Sequence, residues 1–128
     1  MSISLFSAWT ALACIAWLIL FHVALALGAP LGHLAWGGRQ RVLSPSFRAG
    51  SVASAIVLAF GAACVAERAG IADVVGSEAV AQVGVWGLVT LFALSTVGNL
   101  ATESVVERRH GVPVSVMLAA ASAIVAFA

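Results

Sequence analysis

The sequence contains no lysine and no tyrosine, and only 9% of its 128 residues are charged. Six arginines face five acidic residues, which gives a formal net charge of +1. A nucleic-acid-binding protein would need a basic face, so we expect no nucleic-acid partner. Cysteine is also scarce, and Cys14 and Cys64 both lie in apolar runs. Thiols in such surroundings are usually unreactive apolar groups, so we expect no disulfide framework.

Hydrophobic residues, in contrast, make up 62% of the chain, and the mean hydropathy is +1.12. A chain this short leaves a large share of its residues facing the solvent. The surrounding solvent must therefore itself be hydrocarbon. The composition predicts an integral membrane protein with a single transmembrane domain over residues 1–128.

Four apolar runs are long enough for membrane helices, and they predict an all-α bundle of four transmembrane helices. The first run is not expected to be a cleaved signal peptide, because no arginine precedes it and it is too long. At roughly 24 Å, the last helix is short, so it stands upright, meets a thinned bilayer or extends back toward His110. The expected helices cover about residues 5–27, 45–66, 79–98 and 113–128.

The arginines are distributed unequally between the two sides of the predicted bundle. Arg68 alone falls on one side, whereas five arginines fall on the other. The positive-inside rule then makes the first and third loops cytoplasmic and places both termini outside. We expect these five arginines to bind anionic lipid headgroups, with a nucleotide or phosphorylated substrate as the alternative. They are Arg39, Arg41, Arg48, Arg108 and Arg109.

Two short segments suggest an internal duplication. Gly32-His33-Leu34-Ala35 and Gly98-Asn99-Leu100-Ala101 are each followed by an Arg-x-x-x-Pro segment. If the duplication is real, the chain consists of two tandem helical hairpins in the same orientation. Chance similarity is the alternative, because glycine and proline recur at helix ends anyway.

His22 is the only ionisable side chain well inside a predicted span, and an ionisable residue there is a functional candidate by default. It either lines a pathway for a solute or proton, or is a neutral imidazole satisfied by Thr90, Ser95, Thr96 or Asn99. The residues that we predict to line a substrate site or pathway are His22, Thr96, Asn99, Glu103 and His33.

The three histidines do not fall at matching depth on different helices, as a membrane haem would require. No spacing of nucleophile, base or phosphate loop occurs either. We therefore predict no metal, no cofactor and no catalytic residue.

Small residues at helical spacing predict close helix packing, either within the bundle or between protomers. Gly50, Ser54 and Gly61 form such a stripe on the second helix. Gly84 and Gly87 supply a similar surface on the third.

The loop residues also resemble those of a family of small four-span bacterial inner-membrane proteins. The resemblance covers most of the chain and implies a multi-pass protein of the bacterial inner membrane, but it implies no activity and no catalytic position. It rests on Gly28-Ala29-Pro30-Leu31-Gly32, Trp36-Gly37-Gly38, Pro45, Arg48, Ser51, Asn99 and Glu107-Arg108.

Three classes of function remain. The first is a homo-oligomeric transporter or channel for a small solute or ion, with His22, Thr96 and Asn99 lining the pathway. The second is an accessory or scaffold subunit that packs against another membrane protein. The third is a membrane enzyme acting on lipid or quinone, placed last because no paired acid and base can be named.

Overall fold

The computed structural model describes all residues from Met1 to Ala128 and contains no β-strand. It has four α-helices, each long and apolar enough to cross a membrane, and this confirms the all-α, four-span prediction. Only 24 of the 128 residues are buried, and many large apolar side chains are exposed on the outside of the bundle. The helices are α1, Ile3–Ala26; α2, Pro45–Arg68; α3, Glu78–Ala101; and α4, Val105–Phe127.

The helices run up and down in sequence and form a ring. Each packs against its neighbours in the chain, and α4 closes the ring against α1. At one end lie the α1–α2 loop and the three-residue α3–α4 connection, and we call this the arginine end because it carries five of the six arginines. The α2–α3 turn lies at the opposite end.

The packed core occupies the half of the bundle away from the arginine end. Its largest fully buried side chains come from α1, α2, α3 and α4, and they include Ile15, Val65, Val85, Leu118 and Val125. A second, smaller cluster at the arginine end joins Phe21 and Leu25 of α1 to Leu43 of the loop. The two clusters leave the middle of the arginine half less densely filled.

Glycines bring α2 and α3 into close contact in the packed half. A Cβ atom on Gly61 would lie 2.6 Å from a methyl group of Leu88. A Cβ on Gly84 would overlap the side chain of Cys64. Gly87, one turn further along α3, has no neighbour within 4 Å of an added Cβ. Gly61 and Gly84 thus pack inside the protomer, whereas Gly87 faces open space.

The third and fourth helices extend beyond the predicted bounds. α4 begins at Val105 rather than at 113, because Ser104 accepts a hydrogen bond from the Glu107 N–H at 3.2 Å and caps the helix. Pro113 therefore lies inside α4, where it removes one helical hydrogen bond instead of starting the helix. Asn99 lies within α3, not in a loop. The polar segment predicted between the last two helices is itself mostly helical.

The two segments compared in the duplication hypothesis have different conformations. Gly32–Leu34 forms a single 3₁₀ turn in the α1–α2 loop, whereas Gly98–Ala101 is α-helical. Pro45 starts α2, whereas Pro113 lies in the interior of α4. The fold contains two consecutive antiparallel hairpins, but the similar segments do not occupy equivalent places in them.

The α2–α3 turn is organised by the carboxylate of Glu67. Its two oxygens accept hydrogen bonds from four consecutive backbone N–H groups, those of residues 74 to 77. Beside it, Arg68 pairs with Glu78 at 2.9 Å. These contacts fix the turn at the end opposite the arginines.

We expect Gly84→Leu to destabilise the bundle and Gly87→Leu to leave it intact. The leucine at 84 must displace Cys64, and overpacking of this kind costs about 1–3 kcal/mol. At 87 the side chain meets nothing, and the helix gains up to about 1 kcal/mol in propensity. Thermal unfolding in the same detergent measures both variants, and equal melting temperatures would contradict the packing described here.

Candidate functional site

A cavity of about 570 Å³ lies in the arginine half of the bundle and is lined by all four helices and the α1–α2 loop. Its size falls in the range of small-molecule binding sites. Phe21, Trp36 and Phe92 supply aromatic walls. The polar lining consists of His22, Ser54, Ser95, Asn99, Thr102, Glu107, His110 and Ser115.

Glu107 is the only acidic residue of the lining, and it is 8% exposed. One carboxylate oxygen accepts a hydrogen bond from the Thr102 hydroxyl at 2.6 Å. The other accepts from the backbone N–H of Gly37 at 3.2 Å. Bonds of this kind to a charged group contribute about 1.5–3 kcal/mol each. Glu107 thereby joins the start of α4 to the middle of the α1–α2 loop.

The loop conformation presents the Gly37 N–H to this carboxylate. Trp36, Gly37 and Gly38 all have positive φ, at 53°, 84° and 72°. The left-handed region is unfavourable for tryptophan, but the Trp36 ring donates from Nε1 to Ser51 at 3.1 Å. At position 38 a Cβ would lie 2.6 Å from the Ser104 hydroxyl, so this close approach requires glycine. The loop is thus fastened to both α2 and α4.

His22 lies on the wall of the cavity, next to the ring of Phe21. Its Nδ1 atom is buried and has no hydrogen-bond partner in the protein. The polar side chains proposed to satisfy it bond elsewhere, since Thr90 and Thr96 donate to carbonyl groups of their own helix. An unpaired polar atom in an apolar setting is costly, so His22 carries an unsatisfied nitrogen beside the cavity.

His110 also lines the cavity, and its ring centroid lies 5.2 Å from that of Phe21. Its Nε2 atom accepts a hydrogen bond from Nε1 of Trp17 at 3.0 Å. A ring nitrogen that accepts carries no proton, so this arrangement holds the neutral imidazole. His110 therefore brings no positive charge to Glu107.

Asn99 and Ser115 form the polar wall between α3 and α4. The Ser115 hydroxyl lies 3.0 Å from that of Thr96 and 3.5 Å from the Asn99 amide. A Cβ on Gly111 would lie 2.5 Å from the Asn99 side chain, so the two helices are closely apposed here. Of the predicted pathway residues, His22 and Asn99 thus line the cavity, and Thr96 supports the wall behind Ser115.

Glu103 and His33 do not reach the cavity. Glu103 is exposed and lines a separate surface groove together with Arg39 and Gln40. The 3₁₀ turn that contains His33 packs beside α4, and the His33 carbonyl accepts from Ser104 at 3.3 Å. No three His, Cys, Asp or Glu side chains converge in a geometry that could hold a metal ion.

The arginines surround the cavity without lining it. Arg48 donates to the Leu43 carbonyl at 2.9 Å, and Arg108 donates to the Thr102 carbonyl at 3.1 Å. Arg39, Arg41 and Arg109 are exposed. Headgroup binding by these five residues stays a prediction.

Two small residues of α2 near the arginine end contact the α1–α2 loop or line the cavity. A Cβ on Gly50 would lie 3.0 Å from the Trp36 ring. Ser54 donates to the Gly50 carbonyl at 2.9 Å and lines the cavity. Both lie inside the protomer.

Glu107 and His110 are the functional candidates that sequence reasoning missed. Both were missed because the last helix was expected to start at Pro113 or to extend back only toward His110, whereas α4 begins at Val105. A loop assignment places these side chains in water. The signal was present, because Ser104-Val105-Val106-Glu107 has the Ser-x-x-Glu pattern of a helix start. The Glu107 carboxylate bonds to Gly37 and Thr102, so its burial depends on loop contacts outside that local pattern.

Comparison with known proteins gives no match: no family model fits the chain, and no curated protein or solved structure is significantly similar to it. The resemblance of its loop residues to a family of small four-span membrane proteins therefore stays a prediction.

We expect Glu107→Ala to loosen the α1–α2 loop. Removing the carboxylate breaks the bond to Gly37, and a loss of about 1.4 kcal/mol raises the open fraction about tenfold. Trypsin cleavage after Arg39 and Arg41, followed by mass spectrometry, should speed up accordingly.

Glu103→Ala is the matched control, because Glu103 is an exposed acid in the neighbouring connection. Its loop should be cleaved at the wild-type rate. Equal cleavage rates in the two variants would contradict a loop held specifically by Glu107. So would a cleavage rate after Arg68 that rises in Glu107→Ala as much as the rate after Arg39 and Arg41.

Proposed function

We propose that this integral membrane protein is a transporter or channel for a small solute and that the cavity at the arginine end is its solute-binding site. The observation that carries the proposal is the cavity itself, which polar side chains line between four helices that are apolar enough to span a membrane.

Polar groups inside a membrane-spanning bundle are costly, and those that occur usually line a pathway or a binding site. Here His22, Asn99, Glu107 and Ser115 come from three different helices and face one space. These four polar side chains are not part of the hydrophobic core, which consists mainly of aliphatic side chains in the packed half. Their convergence supports a bound polar solute.

The packed half closes the bundle beyond the cavity. Ile15, Leu88 and Leu118 are almost fully buried there, so the cavity does not continue to the opposite end. A solute therefore reaches the site from the arginine end in this conformation. Passage through the bundle requires the core half to open, which is the alternating-access behaviour of many transporters.

The proposal includes the membrane setting and the assembly. The arginine distribution supports a cytoplasmic position for the cavity mouth and contact of the arginines with anionic lipids, as in a bacterial inner membrane. Gly87 has open space at its Cβ position and lies outside the cavity, and small residues on a membrane-facing helix favour association. These features support a homo-oligomer in which α3 meets a second copy.

Filling the cavity should stop transport. Gly98 lines the cavity and has no atom within 4 Å of an added Cβ, so Gly98→Phe places a ring there without displacing backbone. Uptake into proteoliposomes is measured for radiolabelled cationic, neutral and anionic solutes, with empty liposomes as the background. We expect uptake of at least one solute by the wild type and a loss of more than about tenfold in Gly98→Phe.

Ala93→Phe is the matched control, because Ala93 is exposed on the same helix and lies outside the cavity. Uptake should persist in this variant. Wild-type uptake no higher than in empty liposomes across the panel, or uptake that Gly98→Phe leaves unchanged, would contradict the proposal.

An accessory or scaffold subunit is the alternative that the open face of α3 favours. Gly50 and Gly61 pack inside the protomer, so a partner would meet α3 near Gly87 instead. Native mass spectrometry from the host membrane separates the alternatives. A fixed mass of a different protein that Gly87→Phe releases would support the subunit, and a homo-oligomer would support the transporter.

A further inference from the structure

The cavity lining contains one carboxylate, that of Glu107, and no arginine or histidine nitrogen lies within salt-bridge distance of it. Glu107 is 8% exposed, and both of its hydrogen-bond donors, Thr102 and Gly37, are neutral groups. The one salt bridge of the structure joins Arg68 to Glu78 at the opposite end. Buried carboxylates are normally paired with a cation, because an isolated charge is costly in an apolar setting.

The rest of the lining contains no arginine and no lysine. Of its two histidines, His110 is held neutral by the bond from Trp17, and His22 offers a buried Nδ1 that has no partner. The fixed charge of the cavity is therefore that of Glu107. A cationic ligand would lower the energy of this charge, whereas an anion would be repelled by it.

Aromatic side chains complete the lining. Phe21 and Phe92 are 6% and 5% exposed, and Trp36 closes the loop side. Aromatic rings attract organic cations, and the attraction grows when water is excluded. A metal ion would instead favour several close ligands, and no three His, Cys, Asp or Glu side chains converge here.

We propose that the cavity binds a small organic cation, an amine or quaternary ammonium compound, with Glu107 as its counter-charge and the rings of Phe21, Phe92 and Trp36 as its apolar walls. The inference rests on the proposed function in taking the cavity as the solute site, and it names the solute class.

The first test compares three probes of similar size on the wild-type protein in lipid nanodiscs at about pH 8, where histidine is neutral. Benzyltrimethylammonium is the cation, benzyl alcohol the neutral probe and benzenesulfonate the anion. Isothermal titration calorimetry should show the cation binding at least about tenfold more tightly than either of the others. Equal affinities, tighter binding of the anion, or no binding of the cation would overturn the proposal.

The second test removes the charge and keeps the shape. Glu107→Gln should weaken cation binding about tenfold or more and leave the weak binding of benzyl alcohol unchanged. Glu103→Gln, an exposed acid outside the cavity, should bind the cation like the wild type. Cation affinity that is equal in Glu107→Gln and wild type would overturn the role of Glu107. If Glu107→Gln does not fold, the comparison of probes on the wild type decides alone.

Uptake measurements separate this inference from the proposed function. If the cation binds selectively but no solute enters proteoliposomes, the result supports the organic-cation ligand and contradicts the transport function. If uptake of a neutral or anionic solute is blocked by Gly98→Phe and the cation neither binds nor enters, transport holds and the ligand class fails.

Discussion

The burial of the Glu107 carboxylate is the constraint on which the arginine half of the bundle depends. A charge that is only 8% exposed must have its oxygens bonded, and the two donors come from the α3–α4 connection and from the α1–α2 loop. The loop supplies the Gly37 N–H with positive φ at three successive residues, a conformation that glycine adopts without strain at positions 37 and 38. One side chain thus fixes the loop, the start of α4 and the loop side of the cavity.

The two halves of the bundle differ because their small residues are used differently. In the packed half, Gly61 and Gly84 let large neighbours fill the space between α2 and α3. In the arginine half, Ser54, Ser95 and Gly98 line the cavity, and their short side chains leave its volume unfilled. The same class of small residue therefore produces close packing at one end and a cavity at the other.

The positions of the spans were predictable because an apolar run of sufficient length identifies a membrane helix by itself. The bounds of the apolar runs also predicted the depth of His22 in the membrane and the end of the bundle at which five arginines lie. The start of α4 did not follow, because Pro113 is a strong local signal for a helix start and outweighed the Ser104 cap. The Glu107–Gly37 contact joins residues 70 positions apart, and such a long-range contact cannot be predicted from local patterns in a single sequence.

The most direct test of the account is amide hydrogen exchange at residues 36 to 38 in lipid nanodiscs. Loop amides outside a helix normally exchange rapidly, because water reaches them. The account predicts that the Gly37 amide is protected in the wild type and loses that protection in Glu107→Ala, while the amides of α2 remain protected in both. Rapid exchange of Gly37 in the wild type would contradict a loop held over the cavity by a buried carboxylate.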